Sequence, residues 1–339
     1  MRAQFGGPHI MNHDDIQRIL SQFDDRVLVS ANQPQSGLSG SVYVLKTSRE
    51  DLILKIYSDD TTTWKPEKER VVFGMLAHLG IPVPEILLID CLRTLVPQAY
   101  SISRRLPGTT ISAAWDGLSA AQQVAIYAEL GDILGRMHAL TFEQYGDLCE
   151  IDGHIQVGPA RELSDETGPF FGPFATWLEM HSAIVDRHLR FLGRTMFADL
   201  VDPIRRWFDD HSNLIDYPIT PRLLHMDLHC GNVLVEDGHI SGILDVEESL
   251  VGHNEYDLMR TELAHFGDGY EELREAFFQG YCRHVTLDTG YEDRKPFCEL
   301  SRMLIGLRCI VTYGSNYGDG TEQEANEARR QVARIMGSR

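Results

Sequence analysis

An aspartate, an asparagine five residues later and a second aspartate thirteen beyond that constrain this chain more than anything else in it. The run Leu224-His225-Met226-Asp227-Leu228-His229-Cys230-Gly231-Asn232 is followed by Gly242-Ile243-Leu244-Asp245. Short apolar runs at 233–235 and 243–246 read as strands, which places the polar groups in a loop and at a strand end. One carboxylate can orient a hydroxyl and accept its proton. An amide oxygen and a second carboxylate can hold Mg²⁺ on nucleotide phosphates. Asp227 is therefore the candidate base, and Asn232 and Asp245 are the candidate metal ligands. The competing reading is a polar turn that happens to carry acids. His225 is expected to shape the loop by hydrogen bonding and His229 to pack or cap it.

Upstream, residues 27–57 read as β-structure, with strands at 42–45 and 52–57 joined by a polar turn at 46–51. Ahead of them stands Ser36-Gly37-Leu38-Ser39-Gly40-Ser41-Val42. Small residues here let backbone N–H groups approach phosphate oxygens, which nominates Ser36, Gly37, Ser39 and Gly40; an ordinary Gly/Ser turn would look the same. Lys55 sits between Leu54 and Ile56, either as an edge-strand lysine with its head in water or as a phosphate-bridging cation. The pattern then predicts a helix over 66–79, started by Pro66 and stopped by Gly80 and Pro82. Glu69 shares the helix face of Val72, Phe73 and Leu76, and an acid on an apolar stripe needs a partner. Lys55 is that candidate partner.

Strands are expected at 85–90 and 99–104, with a break at Leu106-Pro107-Gly108. Helices are expected at 122–140, 177–200 and 203–211, and from 256 to the end, with a loop-rich stretch at 146–173. Residues 1–14 read as a frayed or tagged start.

At 339 residues the chain can bury a large core, and no stretch approaches twenty uninterrupted apolar residues. A formal charge of −19 argues against nucleic acid or an anionic membrane as partner. It suits a cationic ligand, or simply solubility. Glu247, Glu248 and Glu255 carry the same two readings. Six scattered cysteines fit reduced thiols in a cytoplasmic protein, and the histidines form no zinc-binding run.

Together these blocks resemble the aminoglycoside phosphotransferase and choline kinase-like family, which shares the protein-kinase fold. The match runs through Ser36–Val42, Leu54-Lys55-Ile56, Glu69 with Gly80-Ile81-Pro82-Val83-Pro84, Arg105-Leu106-Pro107-Gly108, His225–Asn232, Ile243-Leu244-Asp245, and Gly252 with Tyr256-Asp257-Leu258. The resemblance implies a two-lobed α+β fold. A small antiparallel-sheet lobe with one helix would occupy 1–105. A larger, mostly helical lobe carrying the catalytic loop and acceptor site would occupy 106–339. It implies ATP or GTP as donor and Mg²⁺ as cofactor. Residues 103–106 would form the hinge, with the backbone of Arg104 and Leu106 against the purine. Asp257 would brace the catalytic loop.

Three departures bear on the substrate: Met226 where the family usually has glycine, Val246 where an aromatic residue is common, and Gly252-His253-Asn254 for Gly-Asp-Pro. Residues 252–267 and 290–314 are also similar to fructosamine kinases. The expected activity is phosphorylation of a hydroxyl on a small molecule. An aminoglycoside-like or aminated-sugar acceptor comes first, which would make this an antibiotic-resistance enzyme. A ketosamine or a choline- or homoserine-type metabolite is the alternative. A protein kinase is disfavoured because no Ala-Pro-Glu segment follows Asp245. An inactive nucleotide-binding module is disfavoured by the retained base.

Overall fold

A computed structural model describes residues 11–32, 40–57, 65–151, 154–158, 172–267, 269–314 and 321–337. In chain order the elements are α1 (His13–Leu20), β1 (Leu28–Asn32), β2 (Gly40–Thr47), β3 (Asp51–Tyr57), α2 (Lys65–His78), β4 (Ile86–Asp90), β5 (Tyr100–Arg104), β6 (Thr109–Thr110), α3 (Ile111–Ala114), α4 (Ala120–His138), β7 (Leu148–Ile151) and β8 (His154–Val157). Then come α5 (Trp177–Leu192), α6 (Val201–Asp210), β9 (Arg222–Leu224), β10 (Val233–Glu236), β11 (His239–Ile243), β12 (Leu250–Gly252), α7 (Asn254–His265), α8 (Glu271–Tyr281), α9 (Tyr291–Tyr313) and α10 (Thr321–Gly337). No helix among the described residues is long and apolar enough to cross a membrane.

The chain divides into two compact units. The first comprises Met1–Ile126, Cys149–Ile155 and Cys230–Glu248; the second comprises Tyr127–Leu148, Gln156–His229 and Ser249–Arg339.

The first unit is built on a five-stranded antiparallel sheet in the order β1-β2-β3-β5-β4. The alternating pattern of β3 buries Leu52, Leu54 and Ile56 against α1 and leaves Lys55 on the opposite face. At the start of β2, a Cβ on Gly40 would lie 2.1 Å from the Ile56 carbonyl oxygen, so only glycine lets β2 and β3 close up there. Of the start expected to be frayed, residues 1–10 lie outside the described residues. Residues 11–14 are ordered, because Met11 is buried and its N–H donates to the Tyr43 hydroxyl, while Asn12 caps α1.

A smaller sheet, β11-β10-β6, completes the unit. The β10–β11 hairpin turns through Asp237 (φ 51°) and Gly238 (φ 82°), the left-handed pair that a tight hairpin needs. The second strand ends at Ile243, three residues before the expected Val246. Asp245 adopts φ 58°, which an extended ladder cannot contain.

The second unit is mostly helical, with a short β9–β12 pairing that sets Leu223 opposite Val251. The helix expected over 177–200 stops at Leu192, after which Ala198–Leu200 form one tight turn before α6. Its core gathers Trp177, Phe208, Tyr256 and Phe297. His181 lies among these rings, 4.7 Å from Phe297 between ring centres. Its Nε2 is buried with no hydrogen-bond partner among the described residues. Burial pushes its pKa from the ordinary 6.5 down to about 3.

The unfolded chain therefore binds a proton in the window between about 6.5 and 3 that the folded chain refuses. His181 leaves stability intact above pH 6.5 and costs about 1.4 kcal/mol per pH unit as pH falls through that window. In urea titrations, His181→Phe is expected to flatten the loss of stability between pH 6 and 4 by about that slope. An unchanged slope contradicts it.

Candidate phosphoryl-transfer residues

In the first unit, Lys55 gathers three carboxylates. Its Nζ donates to Glu69 Oε1 at 3.0 Å and to Asp245 Oδ1 at 2.9 Å, and lies 2.8 Å from Glu247 Oε2. Glu69 reaches it from the core face of α2, and the Tyr57 hydroxyl donates to the other Glu69 oxygen. Burial works against the Lys55 charge, but Glu69, then Tyr57, Glu247 and Asp245, outweigh it and raise its pKa well above 10.5. Lys55 is thus a fixed cation. Burial also pushes the Glu69 carboxyl up, against the pull of Lys55. Glu247 goes the other way: Lys55 and Lys65 overcome its burial and hold it near 2.

Lys65, the first residue of α2, donates to Glu247 at 2.7 Å and to Glu248 at 3.1 Å. Neither Lys65 nor a structural role for Glu247 was visible in the sequence pattern. Lys65 follows no periodic apolar stripe, and Glu247 read equally well as a solvated acid.

Asn232 enters the same unit at the start of β10. It is buried, and its carbonyl accepts the Leu244 N–H at 2.8 Å, tying the loop to the residue before Asp245. The Ile243 N–H donates to the Pro82 carbonyl, also at 2.8 Å. Glu69, Asp245 and Glu247 each bring a carboxylate oxygen to within 4.8 Å of the others. A donor set made only of anionic oxygens suits a hard divalent cation such as Mg²⁺.

Of the other nominated residues, Ser36, Gly37 and Ser39 lie outside the described residues, and Gly40 opens β2. Arg104 ends β5. Its N–H donates to the Glu85 carbonyl at 3.0 Å and its side chain pairs with Glu50 and Glu85. Leu106 rests on β11, where a Cβ at Gly242 would meet its Cδ1 at 2.6 Å.

The second unit holds Asp227. Asp257 on α7 accepts the His225 N–H at 2.7 Å and the Met226 N–H at 2.9 Å, and His138 Nε2 lies 3.1 Å from it. Both Asp257 and His138 are completely buried. Burial alone would raise the Asp257 carboxyl. The hydrogen bond and charge of His138, the charge of His225 and the His225 N–H outweigh it and hold the pKa below 3.8. His138 is braced in turn by the Tyr281 hydroxyl at 3.0 Å, which also accepts from Asn254. The signal for His138 was its position four residues after Leu134 on the apolar face of α4.

The Asp227 N–H donates to His225 Nδ1 at 3.2 Å, so His225 shapes the loop. Met226 is buried in the core with φ 72°. A left-handed backbone costs a non-glycine residue about 1–2 kcal/mol. Around the Asp227 carboxylate, His229 Nε2 lies 3.7 Å from one oxygen and Arg260 Nη2 lies 3.9 Å from the other.

The sequence signature of the Phosphotransferase enzyme family (APH) matches residues 30–297. Hygromycin-B 4-O-kinase of Escherichia coli is 26% identical over 198 residues, covering 56% of this chain and 50% of the relative. The match thus spans only half the length of that protein. A probable ketoamine kinase of Enterococcus faecium is 33% identical over 240 residues, covering 67% of this chain and 75% of the relative. Among solved structures, aminoglycoside phosphotransferase APH(4)-Ia superposes with a TM-score of 0.67 at 18% identity, over 97% of this chain and 100% of its own. Its thermostable mutant in ternary complex with AMP-PNP and hygromycin B gives 0.62 at 19% identity, over 95% of this chain and 98% of its own. At these identities the likeness establishes the protein-kinase-like α+β fold.

Proposed function

The chain belongs to the Phosphotransferase enzyme family, and from that premise we propose that it transfers the γ-phosphoryl group of ATP to a hydroxyl of a small molecule. The observation that carries this reading is Lys55 drawn onto Glu69, Asp245 and Glu247. A permanent cation with oxygen ligands around it is what a nucleotide triphosphate and its metal require. ATP as donor is supported by the AMP-PNP complex of the related fold. When bound, Mg²⁺ would offset the phosphate charge, with Asp245 and Asn232 as its ligands and Glu247 within reach of the same oxygens.

In this reading Lys55, oriented by Glu69, holds the phosphates; the backbone around Gly40, Arg104 and Leu106 serves the nucleotide. Asp227 orients the acceptor hydroxyl and accepts its proton. The acceptor class supported by the two named relatives is an aminated sugar: hygromycin B for one, a ketoamine for the other. The test is mass spectrometry of a mixed hydroxyl-compound library incubated with ATP and Mg²⁺. A gain of one phosphate is expected, and no phosphorylated acceptor sinks the reading.

Asp245→Ala supplies a separate check. It is expected to weaken Mg²⁺-dependent AMP-PNP binding by at least roughly 10–100-fold, the loss that follows when a metal ligand's surroundings are disturbed. Calorimetry with and without Mg²⁺ measures it, and unchanged affinity removes Asp245 from the metal.

A further inference from the structure

The acids that would have suited a cationic acceptor are already engaged. Glu247 holds Lys55 and Lys65, Glu248 holds Lys65, and Glu255 holds Arg294 at 2.5 Å. Two partly buried arginines of the second unit are short of partners among the described residues. Arg260 on α7 has a side chain only 14% exposed, and its nearest carboxylate is Asp227 at 3.9 Å. Its Nε and Nη1 are buried without a hydrogen-bond partner among the described residues. Arg302 on α9 is half-buried and makes no ion pair or hydrogen bond among the described residues. Burial, then the positive charge of Arg260, pull its pKa below the ordinary arginine value, with Tyr256 and Asp227 pulling the other way.

This is not a shortage of acids, since the chain carries 50 acidic against 31 basic side chains. Two other arginines of the same unit are doubly paired: Arg294 with Glu255 and Asp288, Arg274 with Glu262 and Glu292. Withdrawing a guanidinium from water without a partner is costly, and its planar fork matches a carboxylate or phosphate. Arg260 thus keeps two buried donor nitrogens open within 3.9 Å of Asp227, and Arg302 offers a fork with no partner among the described residues; an incoming anion would satisfy both.

We propose that Arg260 and Arg302 bind an anionic group, a carboxylate or phosphate, on the acceptor whose hydroxyl Asp227 addresses. The hydroxyl half of this statement rests on the phosphotransferase reading; the anion site does not.

Calorimetry on the full chain without nucleotide decides it, with gluconate and inorganic phosphate as probes and sorbitol as the neutral control. The wild type is expected to bind the anions and not sorbitol, and Arg302→Gln and Arg260→Gln each to weaken binding at least tenfold. Arg302→Lys, which keeps charge without the fork, should recover part of the loss. Arg260→Gln should also leave the melting temperature nearly unchanged, because two of its buried guanidinium nitrogens have no hydrogen-bond partner among the described residues; an arginine with a purely structural role would lower it. Absence of anion binding by the wild type overturns the proposal, as does equal binding by the double variant. In turnover assays, a rise in acceptor KM with kcat nearly unchanged supports it. An equal fall in kcat for anionic and neutral acceptors assigns the arginines to the transferred phosphoryl group and overturns it. Lack of turnover with every acceptor counts against the transferase reading and leaves calorimetry to decide this one.

Discussion

Replacing Asp227 by alanine is expected to lower phosphoryl transfer by about 10²–10⁴-fold, the usual contribution of a positioned general base. Affinity for AMP-PNP with Mg²⁺ should stay within a few-fold, because Asp227 is assigned to the acceptor hydroxyl and Lys55 and Asp245 to the nucleotide. The fold should also survive. The loop is held by main-chain donors and by His225, while the Asp227 carboxylate faces His229 and Arg260 at 3.7 and 3.9 Å. The paired measurement is single-turnover phosphate transfer beside nucleotide calorimetry. Near-wild-type turnover removes Asp227 as base. Intact turnover with lost nucleotide affinity would move it to the metal.

Asp257→Ala is expected to be the most destabilising single change, by roughly 3–5 kcal/mol. It strands the His225 and Met226 N–H groups and leaves His138 without its partner inside a completely buried site. Met226 makes the effect larger than the hydrogen bonds alone suggest. Its left-handed backbone is held in place by Asp257, so losing that anchor frees the loop to relax toward ordinary φ values. Activity should fall with stability, and lowering the assay temperature should restore little, since the loop geometry itself is lost. A urea midpoint within experimental error of wild type would show that the loop keeps its shape without the carboxylate.

Much of the first unit was legible in the sequence because its signals are local. The β2–β3 hairpin follows from alternation. The face of α2 follows from the spacing of Glu69, Val72, Phe73 and Leu76, and that spacing demanded a partner for Glu69 which Lys55 supplies. What was not legible depends on distance along the chain. Lys65 meets Glu247 182 residues later, and His138 meets Asp257 119 residues later; no window of periodicity contains either pair. The end of β11 was misplaced for a different reason. Ile243-Leu244-Asp245-Val246 has strand composition, but Asp245 takes a left-handed φ that composition does not report. Arg260 and Arg302 escaped notice because a cation short of partners is defined by its surroundings, and only the folded chain shows those.

The bracing of the loop also orders events in time. Asp257 contributes the anchor for Met226 from 31 residues further along the chain. A ribosome adding about 5–20 residues per second delivers Asp227 and its neighbours seconds before the side chain that shapes them. A nascent chain paused between the two has the complete 225–232 sequence without its Asp257 anchor. Methionine, unlike glycine, then disfavours the bent backbone until α7 arrives. The bent geometry of the loop is therefore withheld from the growing chain and conferred only when synthesis has passed the helix that holds it.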